Sequence, residues 1–182
     1  MTGALVQCGA IGTFMVLGAL YARRPSQGFV TRDTLINLAN GALLFAFRAG
    51  VIAGAVGWLE IGALDASAVS SPLAQFAIAF IMLDFSRYWL HRAHHRVEWL
   101  WMFHRVHHMS ERLDSTSGLR MHVVDFIQLA VLPVVLFGAL LNTSQWAPWT
   151  IVAALCVGGV FDAFQHANLR WNADSTFGRL WG

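Results

Sequence analysis

The amino-acid sequence predicts an all-α membrane protein, a bundle of about five transmembrane helices with a cytoplasmic histidine-rich cap. Composition supports this fold class, because 57% of the 182 residues are hydrophobic and the mean hydropathy is +0.54. An ordinary soluble domain contains fewer apolar residues than this. The order of the apolar residues supports it too, since they form five runs that are long enough to cross a bilayer. The distribution of the arginines then predicts how the bundle is oriented.

The five apolar runs are the predicted spans, and each suits a hydrocarbon core about 30 Å thick. They cover residues 4–22, 34–59, 72–90, 123–141 and 149–165. The first run has no basic leader and no small-residue cleavage site, so a cleaved signal peptide is the weaker interpretation of it. Because the sequence contains no internal repeat and leaves no room for a second module, residues 1–182 are predicted to form one membrane domain.

The loops between these runs differ in charge, and all twelve basic residues of the chain are arginine. The loops on the histidine side hold Arg23, Arg24, Arg32, Arg92, Arg96, Arg105, Arg112, Arg120, Arg170 and Arg179. The two opposite loops, 60–71 and 142–148, hold none. By the positive-inside rule, the histidines face the cytoplasm and the N-terminus lies outside. The arginines are dispersed among several loops, so a nucleic-acid-binding surface is not expected.

Seven of the eight histidines lie between Asp84 and Asp125. Six of them form two groups with the spacing i, i+3, i+4, namely His91, His94 and His95, then His104, His107 and His108. Such positions share one face of a helix, so the sequence predicts two adjacent imidazole faces. Neutral imidazole is the commonest nitrogen ligand for zinc, copper, iron and nickel. A lone histidine is usually structural, but two groups with this spacing favour a site for one or two metal ions.

Several other classes of site are excluded by motif. The first group reads HRAHH, so the H-E-x-x-H motif of zinc peptidases is absent, as are the Glu-x-x-His pairs of soluble di-iron bundles. A bis-histidine haem is disfavoured, because its ligands would face one another within the spans. Cys8 and Cys156 lie inside apolar runs and are expected to be inert. With no nucleotide or haem-attachment motif, any redox chemistry would need an external electron donor.

The histidine-rich stretch resembles a known family. HRAHH fits an HxxxH box through His91 and His95, and HRVHH fits an HxxHH box through His104, His107 and His108. With the flanking DFSRYWLHR and LRMHVVD, the stretch 84–125 is similar to the fatty acid hydroxylase/sterol desaturase superfamily of integral-membrane, histidine-ligated di-iron oxygenases. FDAFQHAN, at 161–168, resembles the family's isolated downstream histidine.

The resemblance implies a lipid-modifying oxidoreductase. Histidine-bound iron, expected as a pair, would use O2 to hydroxylate or desaturate an acyl chain, a sterol or a related lipid taken from the bilayer. Zinc in a heterologous preparation would not exclude iron in the cell, because imidazole suits both metals. No catalytic group beyond the metal ligands is predicted. The alternative from another class is a non-catalytic membrane metal-binding protein or an inactive fragment.

The candidate site residues fall into two sets. The predicted metal ligands are His91, His95, His104, His107, His108 and His166. The second set would either bind metal directly or hydrogen-bond to a metal-bound histidine. It comprises His94, His122, Asp84 and Asp162. Asp84 precedes His91 by two helical turns and Asp162 precedes His166 by one, and metal-bound imidazoles commonly donate their other N–H to a carboxylate. The two aspartates could equally pair with Arg48 or Arg87 across the bundle.

The family pattern continues with a further HxxHH box shortly after the isolated histidine, whereas no histidine follows His166 in this chain. Without that box, a second metal site is expected to be short of ligands. The expectation from sequence is therefore a chain that is C-terminally truncated before the last box and inactive as it stands. A short homologue that completes its site through a partner chain is the alternative.

Overall fold

The computed structural model describes residues 2–21, 30–56 and 62–170, which are mostly helical. The helices in these residues are α1 (Thr2–Leu20), α2 (Arg32–Val56), α3 (Pro72–His94), α4 (Glu98–His104), α5 (Val123–Leu140) and α6 (Pro148–Gln165). Five of them lie at the five predicted apolar runs. The ends of the first two runs, at residue 22 and residues 57–59, lie outside the described residues. The short helix α4 is additional and lies inside the histidine-rich stretch.

Three helices in the described part of the chain, α3, α5 and α6, are long and apolar enough to cross a membrane. The apolar segment of α1, Leu5–Leu20, is shorter, and α2 begins with the charged residues Arg32 and Asp33. The helical architecture is therefore confirmed, with three candidate spans. The count of five spans and the cytoplasmic side of the histidines stay predictions.

The buried apolar core forms where α3, α5 and α6 meet, and α1 packs along α6 from another side. Its fully buried members include Ala79, Leu83, Phe126, Val134, Phe137 and Ala154. Large apolar side chains are also exposed on the same helices, among them Leu73, Ile81, Phe85, Leu136 and Val152. Water would disfavour such an exterior, whereas lipid tails accept it. The core holds the helices together, and their outer faces suit a bilayer.

The end of the bundle opposite the histidines is closed by a short parallel strand pair, β1 (Leu64–Asp65) and β2 (Leu141–Asn142). The indole N–H of Trp146 donates to the Ala66 carbonyl at 2.9 Å. Gln75, at the start of α3, donates to the Val69 carbonyl and accepts from the backbone N–H of Ala147. These bonds tie the loop before α3 to the loop before α6. Both loops therefore lie at the same end of the molecule.

A π-helical segment, Ile127–Val131, interrupts α5 near its start. The backbone N–H of Leu132 donates to the Ile127 carbonyl five residues back, which is the π pattern. Proline has no N–H and its ring clashes with the carbonyl four residues earlier, so Pro133 does not fit a regular turn here. The widened segment accommodates the ring. It also carries Gln128, which contacts a histidine described below.

Cysteine labelling in membranes tests this topology. In a variant lacking Cys8 and Cys156, a cysteine at exposed Ser67 or Ser144 should react with an impermeant thiol reagent from one side only. A cysteine at exposed Glu111, at the histidine end, should react only from the other side. All three should react after detergent treatment. Labelling of position 111 from the same side as position 67 would contradict the fold.

Candidate metal centre

The first histidine group lies at the C-terminal end of α3, as the spacing predicted. His91 and His94 are in the last turn of the helix, and His95 is its C-cap residue. The second group differs from the prediction of a single helical face. The helix α4 ends at His104, and His107 belongs to a separate 3₁₀ turn, His107–Met109. Seven residues are too few for a helix that is stable on its own, and the polar sequence after it offers no apolar face to extend it.

Four of the predicted ligands converge on one point, and we call them the four-histidine cluster. They are His91, His95, His104 and His108, whose ligand nitrogens all lie within 4.8 Å of one another. The Nε2 atoms of His91 and His95 are 2.9 Å apart, and those of His104 and His108 are 3.2 Å apart. Two nitrogens bound to one ion at ~2.1 Å are separated by about 3 Å. The two short separations match this spacing, so the donor set is compatible with a transition metal.

The other two predicted ligands form the His107–His166 pair. Their Nε2 atoms are 3.1 Å apart, although 59 residues separate them in sequence. The Nδ1–H of His107 donates to the Arg120 carbonyl at 3.2 Å, and that of His166 donates to the Asp162 carbonyl at 2.7 Å. In this tautomer both Nε2 atoms keep a free lone pair. The pair adjoins the cluster, with the ring of His107 5.3 Å from that of His104.

One histidine of the cluster is hydrogen-bonded to a buried carboxylate, which the sequence analysis did not predict. Asp125, in the first turn of α5, is fully buried. Its two oxygens lie 3.0 and 3.2 Å from Nδ1 of His104, which is also buried. Donation of the Nδ1–H to Asp125 leaves Nε2 of His104 free for a metal. The signal was present in the sequence, because an aspartate at the start of an apolar run is costly and usually functional.

His94 is buried beside this carboxylate and lies outside the four-histidine cluster. Its Nδ1 is 2.6 Å from the Leu90 carbonyl, and its Nε2 is 2.8 Å from the side-chain oxygen of Gln128. The Asp125 carboxylate is 3.4 Å from the same Nε2. Both ring nitrogens therefore face acceptors of the protein. In this arrangement His94 packs against the buried side of the four-histidine cluster.

The remaining candidates are spread around the site. His122 caps α5, because its Nδ1 accepts the backbone N–H of Val124 at 3.2 Å. The Asp162 carboxylate lies 3.6 Å from Nδ1 of His166 and is 41% exposed. Asp84 is exposed on α3 and contacts no histidine among the described residues. Of the two predicted carboxylates, Asp162 approaches a predicted ligand and Asp84 does not.

The electrostatics of the site favour neutral imidazoles. Burial lowers the pKa of His107 to about 3, and the neighbouring His166 acts in the same direction. Partial burial of the ring, followed by the charge of His104, also lowers the pKa of His95 and of His108. Metals bind the deprotonated imidazole nitrogen. These three rings therefore meet a metal near neutral pH without first losing a proton.

Three apolar helices of membrane-crossing length, with four convergent imidazoles at one end of the bundle, are typical of a membrane protein, and this site is compatible with metal binding. A family model described as fatty acid hydroxylase matches residues 76–181. The chain belongs to this family, which confirms the resemblance to the fatty acid hydroxylase/sterol desaturase superfamily. The matched residues include the cluster, the His107–His166 pair and Asp125.

Individual relatives match over shorter stretches. A cholesterol 25-hydroxylase-like protein of Caenorhabditis elegans is 38% identical over 58 residues, which is 31% of this chain and 19% of that protein. The alkylglycerol monooxygenase of Homo sapiens is 41% identical over 46 residues, which is 25% of this chain and 10% of the human protein. The alignments thus cover less than a quarter of either relative. No solved structure matches the chain at comparable significance.

Replacement of Asp125 by alanine should weaken metal binding by the cluster about 10–100-fold, the usual cost of losing a group that orients a ligand. The measurement is a competition titration of the purified protein with Co2+ and a chelator. Asp84→Ala removes an exposed carboxylate and should leave the affinity unchanged. If Asp84→Ala weakened binding as much as Asp125→Ala, the assignment of Asp125 would be wrong.

The metal-free protein should lose stability as the pH falls below 6.5. Folded His107 stays neutral down to about pH 3, whereas the ordinary histidine pKa of 6.5 applies once the chain unfolds. Between these values the unfolded state binds more protons, so the free energy of unfolding falls as the pH falls. Tm measured between pH 6.5 and 4.5 should fall less steeply in His107→Gln than in the wild type. Equal slopes would contradict the burial of a neutral His107.

Proposed function

We propose that the four-histidine cluster and the His107–His166 pair form the metal site of a lipid-modifying membrane oxygenase. The observation that carries this proposal is the convergence of four imidazole nitrogens within 4.8 Å at the end of three apolar helices. Membership of the fatty acid hydroxylase family supports the reaction class. Iron is the proposed metal, expected as a pair. When bound, it would supply O2 activation and the removal of hydrogen from an unactivated C–H bond.

The residues of the chain would prepare the site for that metal. Asp125 fixes the tautomer of His104 so that Nε2 points to His108. Arg120 and Asp162 do the same for His107 and His166 through their carbonyl groups. Imidazoles held in one tautomer need no reorganisation when an ion binds. His91, His95 and His108 are exposed, so the cluster is open to small molecules from one side.

A lipid substrate follows from two further arguments. The two relatives described above are named as a cholesterol 25-hydroxylase-like protein and an alkylglycerol monooxygenase, and both names refer to oxygenation of a lipid. The exposed apolar faces of α3, α5 and α6 would keep this chain in contact with bilayer lipid. We therefore propose an acyl chain, sterol or related lipid as substrate, hydroxylated or desaturated with electrons from an external donor. We also propose that the chain has five spans, that its N-terminus lies outside and that the metal site faces the cytoplasm.

A second candidate is metal binding without turnover. The His107–His166 pair offers two ligand nitrogens among the described residues, against four in the cluster. Two imidazoles hold an ion less firmly than four. The four-histidine cluster would therefore bind a metal ion readily, and the His107–His166 pair would bind one poorly. In that case the 182-residue chain by itself would bind metal and be inactive, as the sequence suggested.

Anaerobic loading with Fe2+ in lipid nanodiscs, followed by O2 and a chemical reductant, distinguishes the two candidates. The oxygenase proposal expects an O2-dependent lipid product from the wild type and none from His104→Ala, whose iron content should fall markedly. His122→Ala, which changes a helix cap, should retain iron and product. Iron binding without product would favour the second candidate. A wild-type protein that retains no transition metal would contradict both.

A further inference from the structure

The N-terminal half of α2 carries a polar face that faces the protein and not the lipid. Asp33, Thr34, Asn37 and Asn40 lie near one another on the helix, and Thr34 and Asn37 are fully buried. Polar side chains within an apolar helix are costly unless they are hydrogen-bonded. The partners of this face therefore indicate what it does.

All four side chains bind one segment, the loop of residues 110–121. Asp33 accepts the backbone N–H groups of Glu111 and Arg112 at 3.0 and 3.1 Å. It also accepts from the guanidinium group of Arg120 at 3.0 Å. The backbone N–H of Met121, at the end of the loop, donates to Asn40 at 3.0 Å. The two ends of the loop are thus fixed to α2.

The middle of the loop is held in the same way. Asn37 uses both halves of its amide, since it donates to Thr116 at 3.1 Å and accepts from Ser110 at 3.3 Å. The hydroxyl of Thr34 donates to the Asp114 carboxylate at 2.6 Å. A Cβ added to Gly41 would lie 3.0 Å from Cβ and Cδ1 of Leu119, so the Leu119 side chain of the loop packs directly against the helix at this glycine.

The other side of this loop forms part of the metal centre. The Arg120 carbonyl is the acceptor that orients His107 through its Nδ1–H. Gly118 lies against the second member of the pair, because an added Cβ would overlap the Asp162 carboxylate and lie 3.2 Å from Nδ1 of His166. The loop therefore connects α2 to both histidines of the pair. The cluster is supported separately, through Asp125.

We propose that the polar face of α2 positions the His107–His166 pair, with Asn37 as its central residue, by holding the loop that carries the hydrogen-bond acceptor of His107. This inference rests on the proposed metal site and adds to it a residue that touches no ligand. Asn37 is a positioning residue for one half of the site only. Its loss should release the Arg120 carbonyl from His107 and leave the four-histidine cluster intact.

The test compares Asn37→Leu with Gln75→Leu. Each variant replaces a buried amide that makes two hydrogen bonds by an apolar side chain of similar size, but Gln75 lies at the opposite end of the bundle. Co2+ titrations of the wild type, His104→Ala and His107→Ala first assign the binding steps to the cluster and the pair. Asn37→Leu should weaken the step assigned to the pair about 10–100-fold and leave the other unchanged. Gln75→Leu should leave both unchanged.

A double-mutant cycle separates positioning from general damage to the fold. In a His107→Ala background, Asn37→Leu should cause no further loss of Co2+ affinity, because its effect acts through that imidazole. An equal loss in both backgrounds, or equal weakening of both binding steps, would overturn the proposal.

A metal-free measurement keeps this inference apart from the proposed function. The ¹⁵N chemical shifts of labelled histidine report which ring nitrogen carries the proton. His107 should be protonated at Nδ1 in the wild type and in Gln75→Leu, and should become a mixture of tautomers in Asn37→Leu. An unchanged tautomer in Asn37→Leu would overturn the proposal. If the tautomer changes and no variant binds metal, the positioning role stands and the proposed function fails.

Discussion

The buried carboxylate of Asp125 is the interaction on which the geometry of the histidine end depends. It joins α3, α4 and α5 through one side chain, since it lies 3.4 Å from His94 and 3.0 Å from His104. A buried carboxylate is tolerated only when its oxygens are hydrogen-bonded, so the two imidazoles and the aspartate must stay together. The helix ends that carry the four-histidine cluster are therefore held in place by the protein itself.

Much of the fold could be predicted from sequence, because a long apolar run has few structural solutions in a bilayer other than a helix. The first histidine group was also predictable, since His91, His94 and His95 continue the helix that delivers them. The family confirms the class of protein that these patterns indicated. In each case the information is local, carried by periodicity over a few turns or by a short motif.

Tertiary contacts at the site could not be predicted in this way. Asp84 and His91 share a helical face by spacing, yet no hydrogen bond or ion pair joins their side chains. Asp125 and His104 are 21 residues apart on different helices, and their contact depends on how the ends of α4 and α5 meet. Asn37 and Asn40 are polar positions within the second apolar run, and no neighbouring residue in the sequence indicates their partners. The fold shows that both side chains are hydrogen-bonded to the 110–121 loop.

The two groups of histidines also differ in how far apart their members lie along the chain. The four-histidine cluster falls within residues 91–108, whereas His166 arrives with α6. Chains are synthesised from the N-terminus, and contacts between distant residues cost more entropy to close. The cluster and Asp125 therefore emerge from the ribosome before α6, and the His107–His166 pair can form only once α6 has been synthesised and docked. A chain in which α6 fails to dock would therefore hold the four-histidine cluster without the His107–His166 pair.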